Sequence, residues 1–110
     1  MNSPTSRSLK ELRRLGYTCA VVEHWNQYAG IRQDLFGFID ILAIADDVIL
    51  GVQATSASNH SARVKKSKAH PNYTKWLDAG GKFEVWSWRL AGARGKRKMW
   101  ELRREDLCTP

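Results

Sequence analysis

Long hydrophobic runs, cysteines and prolines are scarce in this sequence of 110 residues, which has 2 cysteines and 3 prolines. No run approaches the roughly 18 apolar residues that a membrane helix needs, and the opening residues, MNSPTSRSLK, lack the apolar region of a signal peptide. Cys19 and Cys108 have neither metal-ligand spacing nor an oxidising context, so we expect ordinary thiols and no structural zinc. The sequence therefore predicts a single cytoplasmic domain that does not associate with membranes.

The common hydrolase motifs are also missing. The three histidines show no His-x-x-x-His spacing, and no serine has the surroundings of a catalytic triad. The glycines of AGARGKR lack the strand-to-helix context of a phosphate-binding loop. A zinc hydrolase, a serine hydrolase and a P-loop enzyme are therefore not expected.

Positive charge is plentiful and unevenly distributed. The formal net charge is +7, with five Lys or Arg against six Asp or Glu in residues 1–55 and thirteen against five in residues 56–110. This asymmetry favours a polyanionic partner held by the second half, although an ordinary solvated surface could also produce it. The expected nucleic-acid contacts lie on one helix and in one loop: Arg63, Lys65, Lys68, Arg94, Lys96, Arg97 and Lys98.

Hydrophobic periodicity predicts an α/β domain with the element order α-β-β-β-α-β. Leu9, Leu12 and Leu15 have helical spacing and end at Gly16, after an expected flexible tail at residues 1–7. A strand follows over TCAVVEHW, then a loop over NQYAGIRQD, a hairpin over residues 37–56, and a helical arm interrupted or restarted at Pro71. KFEVWSWRL predicts a strand covered on both faces, and KMWELRRE a last strand or helix.

Two polar residues interrupt the apolar hairpin GFIDILAIADDVILGVQATS. If Asp46 and Asp47 form a two-residue turn, Asp40 lies directly opposite Gln53, and Thr55 shares the same face. Opposed side chains have Cβ atoms about 5 Å apart, close enough for two oxygens to hold one cation. The register therefore predicts a polar site on this hairpin.

At IDILAI and VQAT the sequence resembles the PD-(D/E)XK nuclease superfamily, most closely the archaeal Holliday junction resolvases and the virus-type replication-repair nucleases. The resemblance covers roughly residues 8–90. It implies a restriction-endonuclease-like core, with a central mixed sheet flanked by helices. It also implies a DNA endonuclease that depends on Mg²⁺ or Mn²⁺, with a structure-specific, resolvase-like activity as one form. Asp40 would be the central metal ligand.

The second motif departs from the family pattern of Glu or Asp, any residue, then Lys. Gln53 can offer a neutral amide oxygen to a metal but brings no charge, so another acid is needed. Glu23, at the end of the preceding strand, is the first candidate, and Asp34, in the loop entering the hairpin, is the second. Solvent exposure of Glu23 and loop capping by Asp34 are the alternatives.

The lysine of the motif is replaced by Thr55, which carries no charge. Catalysis needs an ammonium near a phosphate oxygen whatever its attachment point, so we expect Lys66 on the following helix to supply it. Phosphate contact by the whole helix cluster, or simple solvation of the helix, is the alternative.

Two other functions stay open on the sequence alone. One is a nucleic-acid-binding domain that has this fold without the reaction, favoured by Gln53 and Thr55. The other is a protein-interaction module with an apolar surface near Trp25 and Tyr28. Trp25 is expected to be exposed near the site, whereas other tryptophans should pack in the core. A homodimer would suit a substrate with two-fold symmetry.

Overall fold

The chain forms a helix, a set of strands, two further helices and a closing pair of strands. The structure is a computed structural model and describes residues 3–108. Its helices are α1 (Pro4–Arg14), α2 (His60–Ala69) and α3 (Pro71–Asp78), with a short 3₁₀ turn at Ala57–Asn59 before α2. Its strands are β1 (Thr18–Val21), β2 (His24–Asn26), β3 (Ile31–Gln33), β4 (Ile41–Ala45), β5 (Val48–Ser56), β6 (Lys82–Ala91) and β7 (Met99–Asp106).

The central sheet is mixed and has five strands in the order β1-β4-β5-β6-β7. Only the β5–β6 pair is parallel; the other pairs are antiparallel. A parallel pair needs a crossover connection, and α2 with α3 provides it. This arrangement confirms an α/β domain with a central mixed sheet flanked by helices.

Each face of the sheet has its own apolar core. On one face α1 packs Leu12 against a cluster that includes Val52 and Trp86. Trp88 also donates its indole N–H to the buried Ser8 hydroxyl over 2.9 Å, which fixes α1 on β6. On the other face α2 and α3 cover a second cluster: Phe38, Ile39, Tyr73, Phe83, Val85 and Leu107. Alternate residues of β5 therefore face different helices, and Gln53 lies on the α2 face, opposite in direction to Val52.

A small two-stranded sheet stands apart from the central one. β2 and β3 pair antiparallel, with Trp25 opposite Arg32. The predicted loop NQYAGIRQD was wrong over its last part, because Gly30 takes a φ of 67° and donates to the Asn26 carbonyl over 2.8 Å. A tight turn of this kind reverses the chain and lets residues 31–33 pair as a strand. The single strand predicted over residues 18–25 is likewise divided between β1 and β2.

Two other predictions on the elements are resolved. The last element is a strand, β7. The flexible tail was wrong for residues 4–7, because Ser3 and Ser6 form a reciprocal capping box and Pro4 starts the helix; residues 1 and 2 of that tail lie outside the described residues. Within residues 3–108, no helix is long and apolar enough to cross a membrane.

Candidate functional site

The β4–β5 hairpin has the predicted register. Ala45 pairs with Val48 across the Asp46–Asp47 turn, and the pairing runs back to Ile41 and Val52. The ladder ends at that pair and does not continue to a direct Asp40–Gln53 pair. Asp40 directly precedes β4, and its backbone N–H donates to the Val52 carbonyl over 3.0 Å. Asp40 and Gln53 are 5% and 3% exposed. Two polar side chains are therefore buried together at this end of the hairpin.

Three carboxylates converge at this position. Oxygens of Glu23, Asp34 and Asp40 all lie within 4.8 Å of one another. They come from three separate segments, since Glu23 precedes β2, Asp34 follows β3 and Asp40 precedes β4. The β2–β3 hairpin thus carries one acid at the base of each strand and brings both to Asp40. We refer to these three residues as the acidic cluster.

A strained turn places Asp34 beside Asp40. Between them, Phe36 and Gly37 both have positive φ, 56° and 90°, and the Gly37 N–H donates to the Asp34 carbonyl over 3.0 Å. A side chain at Gly37 would overlap the imidazole ring of His70, at the start of α3. Glycine is therefore required here both for the backbone conformation and for the close contact with His70.

Burial and like charge act together on Asp40. Its pKa is raised from 3.8 to about 8, first by burial, then by a hydrogen bond with the Asp34 carboxyl and the charge of Asp34. The Ala54 N–H donates to Asp40 Oδ2 over 3.1 Å and opposes the rise, whereas the charge of Glu23 adds to it. Asp40 therefore keeps its proton at neutral pH.

The amide of Gln53 is turned away from the predicted orientation. Its Nε2 donates to Asp34 Oδ2 over 3.1 Å and to the Phe38 carbonyl over 2.7 Å, while its Oε1 accepts from Arg63 Nη1 over 3.1 Å. Asp34 and Phe38 accept from Nε2 and Arg63 donates to Oε1, so the oxygen and nitrogen of the amide cannot be exchanged. Gln53 therefore holds Asp34 and Arg63 in place, and its oxygen is directed to Arg63.

Arg63 is the cation of α2 that reaches the site. It is half-buried, whereas Lys66, one turn later, is exposed. Lys65 and Lys68 line a surface cavity of about 500 Å³ beside Glu105 on β7, and Gln53 is not among its lining residues. The prediction placed Lys66 in the catalytic position and Arg63 among the nucleic-acid contacts, but the contact with Gln53 belongs to Arg63.

The remaining basic candidates and Thr55 lie away from the acidic cluster. Thr55 is 5% exposed, pairs with Ser87 of β6 and shares the α2 face with Gln53. The basic loop begins after Ala91, six residues along β6 from the position that pairs with Gln53, or roughly 20 Å at strand spacing. Its cations are exposed, and they are Arg94, Lys96, Arg97 and Lys98.

Sequence reasoning missed the network that anchors α2. His60, 2% exposed, bonds Ser87 Oγ through Nδ1 at 2.6 Å and Glu105 Oε1 through Nε2 at 2.9 Å. If Nε2–H donates to the carboxylate, Nδ1 accepts from the serine hydroxyl, so every group is satisfied. Ser87, a small polar residue inside an apolar strand, was the signal available for it. This network fixes the start of the helix that carries Arg63.

The donor set suits a hard divalent cation. Three carboxylates provide oxygen ligands at one point, which is the chemistry that Mg²⁺ and Mn²⁺ prefer, while the described residues contribute neither a thiolate nor an imidazole to the cluster. A cation would also relieve the repulsion that raises the pKa of Asp40.

A comparison with protein-family models, curated proteins and solved structures found no match to this chain. Its class therefore follows from fold and site: it is an α/β domain with a partly buried acidic cluster beside the start of β4, and with an arginine held by Gln53.

Proposed function

We propose that this protein is a metal-dependent endonuclease that hydrolyses phosphodiester bonds in DNA, on a restriction-endonuclease-like variant of the PD-(D/E)XK fold. The observation that carries the proposal is the convergence of Glu23, Asp34 and Asp40 within 4.8 Å, next to a guanidinium. Two acids outside the usual motif thereby replace the charge that Gln53 lacks. Ionising Asp40 beside Asp34 is costly without a cation, which supports a site built to bind one.

Glu23, Asp34 and Asp40 would hold Mg²⁺ or Mn²⁺. When bound, such an ion lowers the pKa of a water molecule and neutralises charge on the phosphate. Asp40 is the central ligand because it is the most buried of the three and its Oδ2 is oriented by the Ala54 N–H. Glu23, with a side chain 20% exposed and 3.5 Å from Arg32, lies on the solvent side of the cluster.

Arg63 takes the role of the missing lysine in this proposal. A guanidinium has five N–H donors, and the contact with Gln53 uses one, so the group can bind Gln53 and a phosphate oxygen together. Gln53 acts as a positioning residue, because its two ends hold Asp34 and Arg63 at a fixed separation. The exposed cations of α2 and of the loop at residues 92–98 would bind the DNA backbone.

The test is cleavage of linear and branched DNA with Mg²⁺ or Mn²⁺. The parent should cut only with the metal, and Asp40→Asn should abolish cutting while DNA binding persists, because the amide keeps the shape and loses the charge. Asp47→Asn, in the exposed hairpin turn, removes the same charge outside the site and should cut like the parent.

Gln53 and Thr55 favour a second function, a DNA-binding domain without catalysis. In that case the parent would bind DNA but show no metal-dependent cleavage on any substrate, and the double change Gln53→Glu with Thr55→Lys would gain it. That result would overturn the enzyme proposal.

A further inference from the structure

The β2–β3 hairpin carries exposed aromatic rings beside the acidic cluster. Trp25 is 60% exposed and Tyr28 is 93% exposed. Large aromatic side chains are normally buried, so two of them on one short hairpin point to a ligand. The hairpin begins directly after Glu23 and ends directly before Asp34. A molecule bound to the acidic cluster therefore lies next to the hairpin.

The indole shares a face with the acids. Trp25 and Arg32 are directly opposed in the ladder and therefore project to the same side. Glu23 lies two residues before Trp25, about 7 Å along an extended strand, and its carboxylate contacts Arg32 at 3.5 Å. Asn26 and Gln33 bond each other on the opposite face. The Glu23 carboxylate, the Arg32 guanidinium and the Trp25 indole therefore lie on one face of the hairpin.

The tip of the hairpin is held by hydrogen bonds. Asn26 Oδ1 accepts from the backbone N–H groups of Tyr28 and Ala29 over 3.0 and 3.1 Å. Tyr28 is therefore presented to solvent on an ordered turn, which lowers the entropy cost of stacking a ligand on its ring.

We infer that this hairpin is a stacking platform for unpaired nucleobases next to the scissile phosphate. The inference rests on the proposed nuclease function and gives it a substrate class: DNA with single-stranded nucleotides at the cut site, such as a flap, a fork or a branch. Arg32, whose side chain is 68% exposed, binds the phosphate between the metal site and the rings. Bases in a duplex cover each other's faces, so only unpaired bases offer a free ring to Trp25 and Tyr28.

The net charge of the whole chain supports this occupant over a second copy of the chain. Arg32 lies between the rings and the acids, and the whole chain has a net charge of +7, so two copies repel each other while a nucleic acid is attracted. A nucleic acid with unpaired bases has negative phosphates and exposed rings, so it matches both Arg32 and the aromatic side chains of this surface.

The experiment measures binding in EDTA, without cleavage, by fluorescence anisotropy of a fully paired DNA hairpin and of the same DNA with an unpaired arm. Trp25→Ala and Tyr28→Ala should each weaken binding of the unpaired arm about 5- to 100-fold and leave duplex binding within about twofold. Trp25→Phe, which keeps a ring, should retain most of the affinity. Ile31→Ala, on the other face of the same hairpin and 50% exposed, is the matched control and should bind both DNAs like the parent.

Equal losses on paired and unpaired DNA, or no loss on either, would overturn the inference. So would a change from dimer to monomer in sedimentation of Trp25→Ala, because the hairpin would then be a contact between copies. The assay contains no metal, so its failure leaves the nuclease proposal untouched. A parent that never cleaves, but loses unpaired-arm binding in Trp25→Ala, would remove the nuclease proposal and keep the stacking platform.

Discussion

Replacing the ionisable carboxyl of Asp40 by an amide should stabilise the metal-free protein at neutral and higher pH. Its folded pKa is about 8, against an ordinary value of 3.8, so the folded state keeps a proton that the unfolded state has already released. Unfolding therefore releases a proton between these values, and stability falls as pH rises through this range. Each pH unit costs about 1.4 kcal/mol, so the total reaches roughly 6 kcal/mol above pH 8.

Asp40→Asn removes this penalty while its amide oxygen can still accept from the Ala54 N–H. We expect urea denaturation in EDTA, followed by circular dichroism, to show a variant about 4 kcal/mol more stable than the parent at pH 7 and only about 1 to 2 kcal/mol more stable at pH 5. Asp47→Asn, in the exposed turn, should follow the parent at both pH values. Parallel profiles of Asp40→Asn and the parent would refute the reasoning, because Asp40 would then titrate normally.

Three further predictions concern the metal, the cation and the turn. Mn²⁺ should raise the unfolding temperature of the parent more at pH 8 than at pH 6, because it binds ionised carboxylates, and Asp40→Asn should lose this shift in thermal denaturation. Arg63→Ala should slow single-turnover cleavage about 100-fold, whereas Lys66→Ala should change only DNA affinity, by less than about tenfold in anisotropy. Gly37→Ala should lower the free energy of unfolding in urea by about 2 to 4 kcal/mol, because the new methyl group overlaps His70 at a positive φ.

Matched variants separate these causes from general damage. Gly16→Ala also places a side chain at positive φ, 98°, but nothing lies within 4 Å of it, so it should cost only about 1 kcal/mol. A loss as large as that of Gly37→Ala would exclude the His70 contact as the cause. If Arg63→Ala and Lys66→Ala slow cleavage equally, both residues only contact phosphates. If Mn²⁺ still raises the unfolding temperature of Asp40→Asn, the ion binds outside the acidic cluster.

The hairpin register could be predicted because local rules determine it. The Asp46–Asp47 turn fixes which residues pair, and Asp46 adopts the positive φ, 47°, that such turns need. Period-two alternation then places Asp40 and Gln53 on one face. The first helix followed from a similarly local pattern, the helical spacing of Leu9, Leu12 and Leu15.

The rest of the site depends on packing between distant segments. Glu23 and Asp34 were candidates from the sequence, but their convergence needs the β2–β3 hairpin and the turn at Gly37, which is shaped by His70 of α3. Helical spacing put Arg63 and Lys66 on one face, yet the rotation of α2 about its axis decides which one reaches Gln53. That rotation is fixed by His60 and its partners on β6 and β7, for which the only signal in the sequence was the polar Ser87 inside an apolar strand.

The most direct test of the metal site is anomalous diffraction from a crystal of the parent soaked in Mn²⁺ at pH 8, close to the pKa of Asp40, where the cation can displace its proton. We predict one strong peak bonded to oxygens of Glu23, Asp34 and Asp40, at the roughly 2.0 to 2.2 Å expected for a small divalent cation with oxygen ligands. The same soak of Asp40→Asn should show no peak there. An empty acidic cluster in the parent, or a peak at other residues, would contradict the account.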